Sequence, residues 1–247
     1  MGGLISLYAI ANISFHVLAL SRAAADLPVR MALALMMVLL ALIGGRVTPN
    51  FTREFLAAQE KAEQPAAFSR FDGVSIVLVA IAAVAWTVQP QATATGVMLV
   101  TAGFVNLGRL LRWRGWATWR EPLVLALHLG YGWLAISLLI LGGAILGMGL
   151  PKEDAVHALT TGAVGVMTLA VMTRASLGHT GRPRHAGSMT VFIYVLVSLG
   201  AILRIFGPTT DLPATLVLAL AAIGWSGAYV LFVLVYGPFL LRPSLEK

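Results

Sequence analysis

A chain of 247 residues that is 59% hydrophobic and 11% charged, with a mean hydropathy of +0.88, lies far outside the composition of a soluble domain, in which charged residues make up about a quarter. Its lack of cysteine rules out disulfides, thiolate metal ligands and iron–sulfur ligation. Its net charge of +7 is spread over loops, which argues against a nucleic-acid partner.

Charge-free runs recur at 1–21, 73–108, 122–151, 155–173, 185–203 and 212–241. A helix needs about 20 mainly apolar residues to cross a hydrocarbon core of about 30 Å. The runs are apolar on every side, without the alternation of barrel strands. The expected fold is all-α: a polytopic helical membrane protein with the lipid bilayer as its surroundings, forming a single transmembrane domain over 1–247. Eight spans are expected, near 4–20, 29–45, 73–89, 92–110, 122–148, 154–174, 188–206 and 213–240. The first lacks the basic start and small-residue cleavage pattern of a removable leader.

Taken in chain order, the first span carries Asn12 and His16 one turn apart. The second ends in "GGRVTPNFT", with Arg46, Thr48 and Asn50. The connector 46–72 mixes charge signs and is expected as a solvated loop or a short surface helix. Gln89-Pro90-Gln91 divides the 73–108 run into a hairpin. Asn106 and Arg109 close the fourth span without an evident role. "RWRGWATWR" (112–120) alternates arginine with tryptophan, which suits the headgroup layer. His128 lies early in the fifth span, with Tyr131 three residues on, able to bond a ligand or simply to pack. The sixth opens with Asp154, a candidate helix cap, and His157. Small residues at four-residue spacing follow, Ala158 with Gly162 and Thr161 with Gly165, and suit close packing. It closes on "TRASLGHTGRP" (173–183), where Gly178 and Gly181 are expected to turn the chain beside His179, Arg174 and Arg182. His185 reads as a solvated loop residue, and Arg204 as snorkelling from the seventh span.

An even number of crossings puts both termini on one side. Thirteen of the 17 lysines and arginines fall on that side and four (Arg22, Arg30, Lys152 and Arg204) on the other. The positive-inside rule then places both termini of this multi-pass protein in the cytoplasm.

Ionisable groups within spans are costly and mark function by default. A single buried histidine has an ordinary explanation, a hydrogen bond to a neighbouring carbonyl. Four in a cysteine-free membrane protein make imidazole the natural metal ligand, for haem iron, copper or zinc. His157 and Arg174 are about 26 Å apart along one helix, so His157 and His179 cannot share a metal. The expected arrangement has two tiers, His16 with His157 towards the outer side and His128 with His179 towards the inner. Arg46 and Arg174 could bind haem propionates, and topological anchoring explains them equally well. Walker, GxSxG and HExxH motifs do not occur. A small-solute or metal transporter with a histidine-lined pathway, or a metal-free structural subunit, are the alternatives.

Four stretches, "ANISFH" (11–16), "LIGGRVTPNFTR" (42–53), "LHLGYGW" (127–133) and "HALTTGAVGVMTLAVMTRASLGHTGRP" (157–183), resemble the NnrS family of bacterial membrane proteins, with similarity along nearly the whole chain. The resemblance implies a role in the response to nitric oxide and nitrosative stress, with bound haem and copper. It implies that His16, His128, His157 and His179 belong to the family's recurring polar positions, and a multi-pass place in the bacterial inner membrane; these histidines are the candidate metal ligands, and Asn12, His16, Arg46, Tyr131, His157, Arg174 and Arg182 the candidates for cofactor binding. Nitric oxide or a related small molecule is the implied ligand, and no redox partner is indicated. Family members carry further histidine-bearing spans ahead of the segment matching residue 1, so the chain is expected to be a short member or a fragment.

Overall fold

The computed structural model describes residues 2–149 and 151–245, among which there is no strand. Eight helices are long and apolar enough to cross a membrane: α1 (Gly2–Leu20), α2 (Asp26–Ala58), α3 (Arg70–Val88), α4 (Thr93–Leu111), α5 (Pro122–Ile145), α6 (Lys152–His179), α7 (Ser188–Phe206) and α8 (Ala214–Leu241). All eight expected spans are present. The start of α1, the second half of α2 and the segment after α8 lie at one end of the bundle, the basic end.

Two boundaries differ from expectation. The second helix does not stop at 45. It runs on to Ala58 through Pro49, so the expected loop over 46–72 shrinks to 59–69 and its "surface helix" is the last turns of α2. Proline normally breaks a helix because it removes an N–H and crowds the preceding turn. Here a π-helical turn, Leu40–Gly44, lies just upstream and loosens the backbone where the ring intrudes. Likewise, α6 continues past 174 through Gly178 to His179. Of the two glycines expected to turn the chain, only Gly181 does so, with φ +69°. A second π-helical segment, Ala158–Val164, lies within α6.

Burial is graded across the bundle. α5 packs on α4, α6 and α2 and is buried along most of its length, whereas α1 packs on α2 and buries only Ala11. Helices in lipid gain no hydrophobic drive from meeting each other, so close backbone approach has to supply the attraction. Glycines provide it. A Cβ at Gly142 of α5 would lie 2.7 Å from the Gly96 carbonyl of α4, and one at Gly200 of α7 would lie 2.6 Å from the Trp225 nitrogen of α8. The small residues of α6 serve packing as expected, and aromatic side chains fill the space they leave: Gly162 faces Trp133, and Gly165 faces Trp225.

Candidate functional site

The polar interior of the basic end is organised by Arg109, which is 1% exposed. Ala102, Asn106 and Arg109 of α4 and Trp113 just past its end recur at spacings of four, three and four, which places the three helical residues on one face. Arg109 Nε donates to Asp72 Oδ1 at 3.0 Å, and Nη1 donates to Tyr131 Oη at 2.7 Å and to the Ala41 carbonyl at 3.0 Å. Nη2 reaches the Gly45 carbonyl at 3.4 Å. Both carbonyls belong to the irregular part of α2. Pro49 has no N–H to offer Gly45 four residues back, and the guanidinium takes its place. Tyr131 in turn donates to Asn106 Oδ1 at 2.6 Å, and its ring meets Trp113 edge-on at 4.6 Å. The Asp72 carboxylate is completed by the Ser69 N–H, the Ser69 hydroxyl and Arg112 Nη1. A buried charge is tolerable when it is paired and its remaining lone pairs and protons are used; here the guanidinium is paired with Asp72 and four of its five N–H groups are bonded.

One turn further along α2, Thr52 meets His128. Thr52 Oγ1 donates its single proton to the Thr48 carbonyl at 2.8 Å and lies 2.7 Å from His128 Nε2. A hydroxyl has one hydrogen, so toward the imidazole this oxygen accepts. Nε2 therefore carries the ring proton, and Nδ1 is left with a free lone pair. His128 is 5% exposed, and Nδ1 is buried with no hydrogen-bond partner. Gly115 stands over it, so close that a Cβ there would lie 2.7 Å from Nδ1. The His128 residue also lines a cavity of about 420 Å³, whose other walls include Trp116, Trp133, Gly132 and aliphatic side chains. The arrangement offers one oriented nitrogen ligand in an apolar, aromatic recess. A buried nitrogen whose tautomer is fixed by a partner on the opposite ring atom is the usual preparation for a metal.

A scan of protein families returns the family described as NnrS protein, whose profile matches residues 1–244. The chain belongs to the NnrS family. Membership makes it a membrane protein of a family associated with the nitric-oxide response. No curated protein and no solved structure matches the chain.

The family-implied residues are scattered over the bundle. His16 and Asn12 lie on the exposed side of α1, with His16 edge-on to Phe15 at 5.4 Å. His157 is half-buried, its Nδ1 3.5 Å from the Thr160 hydroxyl. His179 is exposed in the last turn of α6. Among the described residues, no three His, Asp or Glu side chains are grouped to hold a metal ion. Arg46 is exposed on α2. Arg174 is buried, donates to Glu54 Oε2 at 3.1 Å and stacks over Phe51 at 3.9 Å, and Arg184 takes the other Glu54 oxygen. Arg182 lies over Phe239 of α8 at 4.5 Å. Tyr131 has its hydroxyl engaged within the Arg109 network. Asp154 does not cap α6 but pairs with Arg204 at 2.8 Å, so that arginine is bound as well as snorkelling.

Asp72, Asn106 and Arg109 were not singled out as site residues by the sequence. The signal available was the 102/106/109/113 stripe, which puts an amide and a guanidinium on one face of an otherwise apolar helix and an indole just past its end.

Proposed function

We propose that this NnrS-family protein binds haem and copper in the membrane and acts in the response to nitric oxide, with His128 as the ligand best supported in this chain. The observation that carries the reading is His128 Nδ1: buried, unpartnered, deprotonated by the logic of the Thr52 bond, and closed over by Gly115 on a ring that lines the cavity. Apolar and aromatic walls suit a flat macrocycle or a copper ion screened from water. His16, His157 and His179 are the further ligand candidates, and Arg174 and Arg182 the candidates for propionates. When bound, the metal supplies a coordination position for a small molecule such as nitric oxide. The chain's own contribution is to fix one imidazole tautomer and exclude water around it. The thirteen-to-four distribution of basic residues supports cytoplasmic termini in a bacterial inner membrane.

The test is an optical spectrum and metal analysis of the purified chain from cells supplied with haem and copper. A Soret band or bound copper is expected, lost in His128→Ala. Thr52→Val leaves the ligand in place but frees its tautomer, so metal affinity falls about tenfold to a hundredfold. A colourless, metal-free protein, or full metal content in His128→Ala, refutes the assignment.

A further inference from the structure

A second cavity, larger than the one beside His128, does not contain that residue. It measures about 930 Å³ and opens at the basic end between the start of α1, the second half of α2, the 66–68 segment and the ends of α3 and α4. Its floor is apolar, including Ile43, Val47, Ile76 and Trp113. Its rim is basic. Arg46 and Arg53 stand seven residues apart on α2, about 10 Å along the axis, with Asn50 between them; all three line the cavity. Among the described residues neither arginine forms an ion pair, and the only hydrogen bond to either is a 3.4 Å contact from Arg53 to Asn50. The one acid in the wall, Asp72, is already neutralised by Arg109 and Arg112. The recess is therefore net positive at its mouth and apolar behind, at the end of the bundle where headgroups lie. No histidine, methionine or unpaired carboxylate lines it, so it offers no metal ligand.

We infer that this recess is a binding site for an anionic phospholipid, with its phosphate between Arg46 and Arg53 and its acyl chain against Ile43 and Val47. Basic pockets between transmembrane helices recognise acidic headgroups in this way. The argument does not depend on the metal reading. The geometry needs both parts of the ligand: the guanidiniums select the negative charge, and the aliphatic wall selects a molecule with a tail. Arg109 forms the back of the recess, and four of its five N–H groups are held by its own network, so it acts as a fixed wall.

The experiment is native mass spectrometry of the full chain in detergent with equimolar phosphatidylglycerol and phosphatidylcholine. Wild type is expected to retain phosphatidylglycerol preferentially. Arg46→Gln/Arg53→Gln is expected to lose about tenfold to thirtyfold of that preference, two surface cations each contributing a few-fold or more. Arg120→Gln, an exposed arginine outside the recess, should leave it intact. Ile43→Trp, which fills the recess without touching charge, should reduce retention while keeping the helical circular-dichroism spectrum. Equal retention of the two lipids by wild type, or an unchanged preference in the double arginine variant, overturns the assignment. So does displacement of the lipid by millimolar inorganic phosphate, which would mean that the apolar wall contributes nothing and the site takes a free anion.

Discussion

Substituting alanine at Gly45 tests the central physical claim about the basic end, that one guanidinium holds the irregular turn of α2 in place. The added methyl would lie 2.5 Å from Arg109 Nη1, 2.6 Å from Nη2 and 2.7 Å from Cζ. Non-bonded carbon contacts settle near 3.5–4.0 Å, so the guanidinium has to withdraw by about 1 Å. It cannot do so and keep its bonds to Asp72 at 3.0 Å, the Ala41 carbonyl at 3.0 Å and Tyr131 at 2.7 Å. Hydrogen bonds to charged groups are worth about 1.5–3 kcal/mol net. Losing two of them gives about 3–6 kcal/mol, comparable to the cost of breaking a buried ion pair. Unfolding in mixed micelles by dodecyl sulfate titration measures this directly. A cycle with Tyr131→Phe identifies its source. In wild type that change removes both bonds of the tyrosine hydroxyl and should cost about 2 kcal/mol. In the Gly45→Ala background Arg109 has already left the hydroxyl, and the cost should drop by at least half. A Gly45→Ala protein within about 0.5 kcal/mol of wild type, or strict additivity of the two changes, refutes the network as described.

Two further outcomes follow from the same reasoning. The π-helical segment of α6 exposes backbone that α8 covers: Trp225 Nε1 donates to the Thr161 carbonyl and the Tyr229 hydroxyl to the Gly165 carbonyl, each at 3.3 Å. Trp225→Phe and Tyr229→Phe should each cost about 1 kcal/mol and accelerate amide exchange over 158–165; unchanged exchange would mean that α8 does not hold the segment. Arg174→Gln should cost about 1–2 kcal/mol in the same titration, less than a fully buried pair because Glu54 is half-exposed. Arg174→Lys should not restore the loss, since an ammonium cannot stack flat on Phe51, and a lysine variant as stable as wild type would remove the stacking from the account.

The eight crossings were legible because hydrocarbon leaves little choice: a segment without charge over about 20 residues has to be a helix there. The ends of α2 and α6 were not, because the rule stops at the first arginine and proline, while the backbone does not. Residues 46–58 are polar on average, yet they remain helical because their polar side chains are used inside the bundle, Thr52 by His128 and Glu54 by Arg174. Of the candidate ligands, His128 was recognisable as an ionisable group inside a span. The pairing of histidines in two tiers was inferred from depth alone, and depth fixes neither which helices are neighbours nor which way a ring points. Arg109 was counted as one more anchoring cation because nothing in a single sequence says that Asp72, 37 positions earlier, is its partner. Asp72 itself was hidden by the assignment of 46–72 to a loop.

The two π-helical turns bear on how the site is built. In hydrocarbon a carbonyl freed from the helix ladder has no water to accept, so the freed group has to find a donor on a neighbouring helix. In α2 the donor is a charged side chain, Arg109, and in α6 it is a pair of aromatic ones from α8. The difference matters for His128. One residue inserted into a helix rotates everything beyond it by about 100° relative to the unbroken helix. Thr48 and Thr52 lie just beyond the α2 turn, and it is their rotated positions that bring the Thr52 oxygen to His128 Nε2 at 2.7 Å. The buried arginine, the proline without its N–H and the orientation of one imidazole are thus a single mechanical unit. Straightening α2 at Gly45 would carry the Thr52 hydroxyl away from the ring and release the proton now fixed on Nε2.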